Sequence, residues 1–305
     1  MIKIKFPDNK ITAVSDGENK LFIRAFSELE KFSNKYIQEM LKIGGYPAVY
    51  PWPVDNLHNW SRWWEYSFVW LHLKPLVGKG ATVLDIGPGL TFWPFFLADK
   101  GFEVTAIDVD SRIKSWAESA LEKLTCLDSS AKRRLKFMTG DITKTKFPGR
   151  VFEAVTNISV IEHINDKYQA IKEIYRLLKP EGKLINTLDI SVDGKPIGDS
   201  RPLLTEESYE FVRLLENTFG SKLQFGFVHP MDIVTPGRYP REYTVGSLYV
   251  SKLHSIRQIW KLLASRLSLK FILNPSRLDM WTVMGIAVQK SSIRRQRSAV
   301  KSLLK

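Results

Sequence analysis

The residues best suited to chemistry start with a glycine-rich turn, Gly87-Pro88-Gly89, which follows the apolar run 83–86. Glycine allows a backbone to pass close to a ligand, because a Cβ at such a position would collide with it. The dinucleotide fingerprint G-x-G-x-x-G requires glycine at position 92, where this chain has Phe92. The turn therefore predicts a nucleoside-type ligand rather than a pyrophosphate. Thr91 is the expected N-cap of the helix that follows.

Two further acids follow neighbouring predicted strands. Asp108 lies nineteen residues after Gly89, close to the spacing at which an acid reaches a bound ribose. Its carboxylate can accept hydrogen bonds from both vicinal hydroxyls at once. Asp141, after Gly140, could accept from the exocyclic amine of a purine, although Gly-Asp is also ordinary turn chemistry. Helix capping is the alternative role for Asp108 and the favoured role for Asp110.

Short apolar strands alternate with helices after position 76, which predicts a doubly wound α/β fold with a parallel sheet covered on both faces. In such a fold the strand ends that carry these acids meet at one edge of the sheet. The predicted strands are 81–86, 103–107, 135–138, 154–158, 183–188, 223–228 and 280–288, and the predicted helices are 92–100, 113–124, 167–178 and 206–218. Residues 230–278 interrupt this alternation and are interpreted as an insertion.

The first 75 residues have a different character and are predicted to form a helical, aromatic-rich cap after a short strand pair or loose arm. Apolar residues from Phe22 to Met40 recur at near-helical spacing, and Gly44-Gly45 ends that run. A proline-rich loop over 46–53 follows, and a second helix is expected from about Asn56 to Lys74.

These motifs, taken in order, resemble the class I S-adenosylmethionine-dependent methyltransferases. The resemblance rests on five stretches: 85–91 (DIGPGLT), 107–108 (ID), 140–141 (GD), 161–164 (IEHI) and 177–184 (LLKPEGKL). It covers about residues 76–190, and more loosely 205–228 and 280–289. The best match is the broad "type 11"-like subgroup that modifies small molecules, lipids and sugars. Thr91 stands where the family usually has a third glycine.

The resemblance implies a Rossmann-like, mostly parallel seven-stranded sheet and S-adenosylmethionine as the cofactor. It places Gly87 and Gly89 against the methionine part of that cofactor, and Asp85 near its amino group. It places Asp108 on the ribose hydroxyls and Asp141 at the adenine amine. Ile142 and Asn157 complete the expected cofactor contacts.

Methyl transfer requires little chemistry from a protein, because in-line positioning of the acceptor does much of the work. A hydroxyl or amine acceptor must also lose a proton, and His163 could accept it near pH 7. The alternative, in which His163 is structural and hydrogen-bonds to nearby backbone, is favoured over a role as the base. Glu162 is interpreted as structural. A metal site that combines His163 with Asp166 is not expected, since one histidine and loose spacing argue against it.

Five of the nine tryptophans lie between Trp52 and Trp70, and such a stripe usually packs a helical cap. The consecutive Trp63 and Trp64 are not expected to face one core together. Arg62 and His58 lie among them, so all four are candidate substrate contacts, the indoles through stacking on a sugar ring or a cation.

The positive charge is concentrated near the end of the sequence. The chain carries +13, and residues 252–305 hold twelve Lys and Arg against the single acid Asp279. A stripe of apolar residues over 253–267 suggests an amphipathic helix, and 291–305 add five basic residues. One interpretation is that the basic residues simply form a solvated face, and the functional alternative is that they contact phosphates or an anionic membrane surface. A nucleobase substrate is disfavoured, because the stretch 157–160 lacks the Pro-Pro-aromatic turn of the amine-methylating nucleic-acid enzymes.

The sequence therefore predicts a cap over 1–75, a methyltransferase domain over 76–290 with its insertion, and a basic tail over 291–305. The expected acceptor is a hydroxyl (or amine) of a small molecule, with a glycan or lipid-linked intermediate as an option. The alternatives are a nucleic-acid or protein methyltransferase that docks through its basic region, and a non-catalytic adenosyl-binding module. Without a secretory signal or a run of about twenty apolar residues, a cytoplasmic location with peripheral membrane contact as an option is expected. The lone Cys126 excludes an intramolecular disulfide.

Overall fold

The computed structural model describes residues 6–59, 61–191, 202–228, 233–234 and 281–291. These residues form a seven-stranded sheet in the order β1-β7-β6-β5-β2-β3-β4. The strands are β1 Asn9–Ile11, β2 Thr82–Ile86, β3 Glu103–Asp108, β4 Leu135–Thr139, β5 Phe152–Ile158, β6 Leu178–Ser191 and β7 Trp281–Gln289. Neighbouring strands from β6 to β4 run parallel, whereas β7 is antiparallel to both β6 and β1. The predicted doubly wound, mostly parallel α/β fold is confirmed.

Within the described ranges, seven α-helices accompany the sheet, and polar side chains cap several of their first turns. They are α1 Lys20–Lys42, α2 Arg62–Leu73, α3 Trp93–Asp99, α4 Ser111–Lys123, α5 Ser129–Arg133, α6 Lys167–Leu177 and α7 Thr205–Phe219. Asn19 caps α1 by accepting from two backbone N–H groups, and Asp166 caps α6 in the same way with one. The second helix begins at Arg62, later than the predicted Asn56, because Asp55 holds the preceding residues in a turn by accepting from the His58 N–H at 3.2 Å.

One predicted strand is wrong. Residues 223–228 form no strand, and the seventh strand of the sheet is instead β1, whose Asn9 pairs with Ile286 of β7. With β6 on one side of β7 and β1 on the other, both hydrogen-bonding edges of β7 are taken along this stretch. The segment lies near this edge, where the Asn9 side-chain amide donates to the Gln224 carbonyl at 3.5 Å, and Leu223 and Phe225 pack against the cluster that contacts α6 and α7.

The sheet separates two hydrophobic clusters, as the alternation of a strand requires. In β2, Val83 belongs to the cluster that packs against α1 to α5, whereas Leu84 belongs to the cluster that packs against α6 and α7. The N-terminal helices thus share one core with the sheet. The edge formed by the carboxyl ends of the parallel strands stays open between the layers.

The expectation that Trp63 and Trp64 would not share a core is wrong, since both are fully buried in the same cluster. Trp63 packs edge-on against Phe22 of α1 at 5.3 Å between ring centroids. Trp64 points toward the sheet and packs over Gly285 of β7. A Cβ at position 285 would lie only 2.8 Å from the Trp64 ring, so glycine leaves room for the indole. Helix α2 contacts both α1 and the sheet, so two directions around its axis are core.

Several predictions concern residues outside the described ranges: the start of the N-terminal arm, most of the insertion 230–278, the amphipathic stripe 253–267 and the tail 292–305. Of the insertion, Ile233 bridges to Ala13, and Val234 is buried. No helix in the described part of the chain is long and apolar enough to cross a membrane.

Candidate functional site

A cavity of about 1070 Å³ opens at the carboxyl edge of the parallel strands. Its walls come from the ends of β2 to β6, from the first turns of α2, and from the proline-rich loop 50–53. The predicted site residues that line it are Asp85, Gly87, Gly89, Asp108, Asp141, Ile142, Arg62 and His163. Those outside its lining are Asn157, His58, Trp63 and Trp64. The sheet edge predicted to bind a ligand is therefore where the cavity lies.

The glycine-rich turn has a backbone that other residues adopt only under strain. Gly87 and Gly89 have φ angles of +66° and +55°, in the left-handed region. A Cβ on Gly87 would lie 2.7 Å from a methyl carbon of Val160, and one on Gly89 would lie 3.0 Å from the Tyr50 hydroxyl. That hydroxyl also accepts from the Leu90 N–H at 2.9 Å, so the proline-rich loop is fastened to the turn. The predicted capping role of Thr91 is wrong, because Phe92 is the N-cap residue of α3 and no side chain caps it.

Asp108 ends β3 beside this turn and is held by two backbone donors. One carboxylate oxygen accepts from the Gly89 N–H at 3.3 Å, and the other accepts from the Asp110 N–H at 3.0 Å. Partial burial raises the pKa of Asp108. Asp110 caps α4 by accepting from the Arg112 N–H, so its predicted capping role is confirmed. Asp108 itself is not that cap, and its carboxylate lines the cavity.

Asp141 and its neighbours form the far wall of the cavity. The carboxylate accepts from the N–H and the hydroxyl of Thr143 at 2.9 and 2.8 Å. The hydrogen bond from the Thr143 N–H is the main reason that the pKa of Asp141 is lowered. Ile142 is buried behind it, and Val109 is 73% exposed at the opening. Apolar and acidic groups are thus combined at this wall, as recognition of an adenine ring and its amine would require.

Asp85 lies at the bottom of the cavity and is 2% exposed. One of its oxygens accepts from the Thr156 hydroxyl at 2.7 Å, and the other has no hydrogen-bond partner among the described residues. Burial raises the pKa of Asp85 to about 7, with a further contribution from the charge of Asp108. A cation placed against this carboxyl would gain both a hydrogen bond and a charge partner.

A polar network that the sequence did not reveal joins α2 to the ends of β5 and β6. At its centre is Glu65, which is fully buried. Its carboxylate accepts from Arg62 at 2.5 Å, from the hydroxyls of Ser159 and Thr187 at 2.6 Å each, and from Ser61 at 2.8 Å. Arg62 also donates to the Ser159 hydroxyl. Ser159 adopts a left-handed φ of +48°, which is unusual for a residue other than glycine and is often found at functional sites.

Two more acids adjoin this network. Glu162 is 4% exposed, and one of its oxygens accepts from the Asp189 backbone N–H at 3.0 Å. Asp189 lines the cavity at the end of the parallel segment of β6. Burial raises the pKa of both carboxyls, and the charge of Glu65 raises both further. The charge of Glu162 also raises the pKa of Asp189. The signal in the sequence was the position of Asp189, directly after a predicted strand that should end at the same sheet edge.

Three remaining candidates have structural partners. The Asn157 carbonyl oxygen accepts from the N–H groups of Val160 and Ile161 and so shapes the turn after β5. His58 is buried, with its ring nitrogens 2.8 Å from Asp55 and 3.1 Å from Glu30. His163 is exposed at the rim of the cavity. Within the described ranges, no group of three or more His, Cys, Asp or Glu side chains is arranged to hold a metal ion.

Comparison with known proteins matches residues 84–186 to the family described as "Methyltransferase domain". This match confirms the recognition made from the sequence motifs, and it spans the glycine turn, Asp108, Asp141 and the end of β5. The matched segment corresponds to the part of the sheet whose strand ends enclose the cavity.

Curated relatives agree over the same region. The chain is 28% identical to phosphoethanolamine N-methyltransferase 1 of Zea mays over 46% of its own length, and it covers 26% of that protein. It is 31% identical to the ubiquinone biosynthesis O-methyltransferase of Pseudomonas paraeruginosa over 40% of its length and covers 56% of that protein. The chain thus spans about a quarter to about half the length of these relatives.

Two solved structures share the fold over most of the chain. One is the [4+2]-cyclase SpnF, with a TM-score of 0.51 and 18% identity, covering 87% of this chain and 96% of that one. The other is a phosphoethanolamine N-methyltransferase 2 of Haemonchus contortus, with a TM-score of 0.51 and 19% identity, covering 88% and 61%. Since a cyclase and a methyltransferase are both matched, the fold alone does not determine the reaction. The reaction must be inferred from the residues of the site.

Proposed function

We propose, from the premise that residues 84–186 form a class I S-adenosylmethionine-dependent methyltransferase domain, that the whole chain transfers a methyl group from S-adenosylmethionine to a nucleophile of a small molecule. The observation that carries the proposal is that the left-handed glycine turn and the Asp108 carboxylate lie side by side in the cavity wall, joined by the hydrogen bond from the Gly89 N–H. Both groups were expected from the sequence to contact the cofactor, and both line one cavity.

The residues present fit this cofactor. Gly87 and Gly89 present a left-handed backbone without side chains to the cavity, so they would lie against its methionine part. The unpartnered oxygen of Asp85 would accept from its amino group, and Asp108 would accept from its ribose hydroxyls. Asp141 and Ile142 would contact its adenine. When bound, the cofactor supplies a methyl group on a sulfonium, an excellent leaving group.

The acceptor side of the proposed site lies beyond the glycine turn, toward Arg62, Ser159 and Asp189. Trp63, Trp64 and His58 are turned into the core, so we do not retain their predicted contact with substrate. Trp52 also lines the cavity and is 63% exposed, whereas Tyr66 and Trp93 in the same lining are buried, and we propose Trp52 as the stacking contact instead. An enclosed cleft of this kind favours a small molecule over a macromolecular acceptor.

Transfer of a labelled methyl group tests the proposed function. The purified chain is incubated with methyl-labelled S-adenosylmethionine and with separate small-molecule, lipid, glycan, RNA and protein fractions of a cell extract. We expect label in the small-molecule fraction. Label confined to RNA or protein would select the macromolecular alternative. Tight cofactor binding with no label in any fraction would support an adenosyl-binding module.

Binding of the cofactor should release protons near pH 6.5, because the pKa of Asp85 is about 7 in the free protein. A positively charged amino group against this carboxyl favours its ionised form and lowers that pKa, so a proton leaves on binding. Calorimetry in two buffers with different ionisation enthalpies measures the release, which we expect to approach one proton. An Asp85→Asn variant that still binds should lose the buffer dependence. Equal heats in both buffers for the wild type would remove Asp85 from contact with the amino group.

Peripheral contact of the basic segment with an anionic membrane also stays a proposal, since residues 292–305 lie outside the described part of the chain. Each Lys or Arg near such a surface contributes about 1 kcal/mol, which salt screens. We expect deletion of residues 291–305, which removes five basic groups, to weaken sedimentation with anionic vesicles and to leave cofactor affinity intact. Equal retention of the full chain on neutral and anionic vesicles would refute electrostatic docking.

A further inference from the structure

The acceptor side of the cavity carries more acidic than basic groups. Arg62 and Asp189 line the cavity there, and the buried acids Glu65 and Glu162, which are outside its lining, contact them. Arg62 is paired with Glu65 at 2.5 Å, and the remaining bonds to Glu65 come from hydroxyls. This pair is therefore balanced in charge, and Glu162 and Asp189 are the two acids left without a cation of their own in the described structure.

Each of these two carboxyls also has one oxygen that no hydrogen-bond donor reaches in the described structure. One oxygen of Glu162 and one of Asp189 are completely buried and have no partner among the described residues. Glu162 is nine-tenths or more buried, whereas Asp189 forms part of the cavity wall. A buried acceptor without a donor costs about 1–3 kcal/mol, and more if it is charged. A protein retains such groups where a ligand supplies the missing donors.

We propose that the methyl acceptor is a small molecule that presents a protonated amine, and that Asp189, beside Glu162 and the Arg62–Glu65 pair, binds this ammonium group and takes its proton. The inference rests on the proposed function and names its substrate class. An ammonium group brings three donors and a positive charge, which suits two adjoining carboxyls. A neutral hydroxyl brings one donor and no charge. Of the hydroxyl and the amine that the sequence analysis leaves open, the inference therefore selects the amine.

The proton balance follows from the charges of these groups. An ammonium nitrogen has no lone pair, so it must first lose a proton, which the Asp189 carboxylate accepts. The free amine then forms a bond to the methyl carbon as the carbon–sulfur bond breaks, and the bonding electrons stay on sulfur. The product is a methylated ammonium ion, and Asp189 later returns its proton to solvent. One proton is released for each methyl group transferred.

The surroundings of Asp189 suit this role. Burial, the Glu162 charge and the Glu65 charge all raise its pKa, while Arg62 opposes them. A carboxyl with a raised pKa accepts a proton from an amine more readily than an ordinary aspartate does. The exposed His163 at the rim lacks this low-dielectric setting. Activity should decline as the pH falls through the raised pKa of the pair, since a protonated Asp189 can neither bind the cation nor accept its proton.

The chemical class of the labelled product tests the inference with the natural acceptor. The small-molecule fraction is labelled by the full chain, unreacted cofactor is removed on charcoal, and the product is applied to a sulfonate cation exchanger in acid. The labelled material from each fraction is then heated in hydriodic acid, which releases an O-methyl group as volatile methyl iodide and leaves an N-methyl group on its amine. Label that stays with a non-volatile amine is the expected result. Label released as methyl iodide would mean an O-methylated product, which overturns the inference and leaves the proposed function intact. No labelled product at all would contradict the proposed function itself.

The Asp189→Asn variant tests the residue. We expect kcat/KM for the labelled acceptor to fall at least about 100-fold, with cofactor affinity within a few-fold of wild type. Glu118→Gln, which removes one acid from a surface pair with Lys114, is the matched control for the loss of a negative charge. The acidic limb of the wild-type pH–rate profile should also be displaced in Asp189→Asn. Wild-type kcat/KM and an unchanged pH profile in a folded Asp189→Asn protein would refute its role.

Discussion

Replacing Asp108 with alanine should weaken binding of S-adenosylmethionine by roughly 30- to 1000-fold. The carboxylate ends β3 at the cavity wall and would accept two charge-assisted hydrogen bonds from the ribose, together about 2–4 kcal/mol. Calorimetry on the purified chain measures the affinity. The free protein should stay folded, because Asp108 and its two backbone partners, Gly89 and Asp110, are only partly buried.

Two companion variants separate binding from structure. Asp128→Ala removes an acid that caps α5 by accepting from the Ala131 N–H at 2.7 Å, away from the cavity lining. It should cost about 1 kcal/mol of stability and leave the affinity unchanged. Asp108→Asn keeps one acceptor oxygen but loses the charge, so its affinity should lie between those of Asp108→Ala and the wild type. An Asp108→Ala protein that binds as tightly as wild type would exclude this carboxylate from the site.

The largest loss of stability is expected for Glu65→Ala, which should lower the free energy of unfolding by about 3–5 kcal/mol. The carboxylate is fully buried, and its removal leaves Arg62 without its charge partner and three hydroxyls without their acceptor. Urea denaturation, read at constant m-value, measures the change. Glu65→Gln keeps the volume and one acceptor oxygen, so its loss should be smaller. A loss below about 1 kcal/mol in Glu65→Ala would mean that the network is replaceable by water.

The sequence predicted those residues of the site whose position follows from the strand and turn in which they stand. Gly87, Gly89 and Asp108 each stand at the end of an apolar strand, and the parallel sheet brings strand ends together without further information. Their types also indicate a close backbone approach and a diol acceptor. The network around Glu65 is different, because its partners Ser159 and Thr187 are 94 and 122 residues away. No periodicity or local motif encodes that pairing.

The two errors about the fold have a common physical origin. The sequence predicts a single core face for helix α2. The helix packs against α1 on one side and against the sheet on the other, so Trp63 and Trp64 are both buried. The segment 223–228 has the composition of a strand, yet β1 already occupies the free edge of β7. In both cases the structure depends on which distant segment packs against the helix or pairs with the strand edge. These tertiary contacts override the local sequence pattern.

Equilibrium binding of S-adenosylmethionine and of NADH to the purified chain tests the central claim most directly. The left-handed glycine turn, Phe92 in place of a third glycine, and Asp108 at the cavity wall together predict a nucleoside site without a pyrophosphate loop. We expect one molecule of S-adenosylmethionine to bind per chain, its affinity to fall in Asp108→Ala, and NADH to give no heat. Binding of NADH, or S-adenosylmethionine affinity that is absent or insensitive to Asp108, would contradict the account.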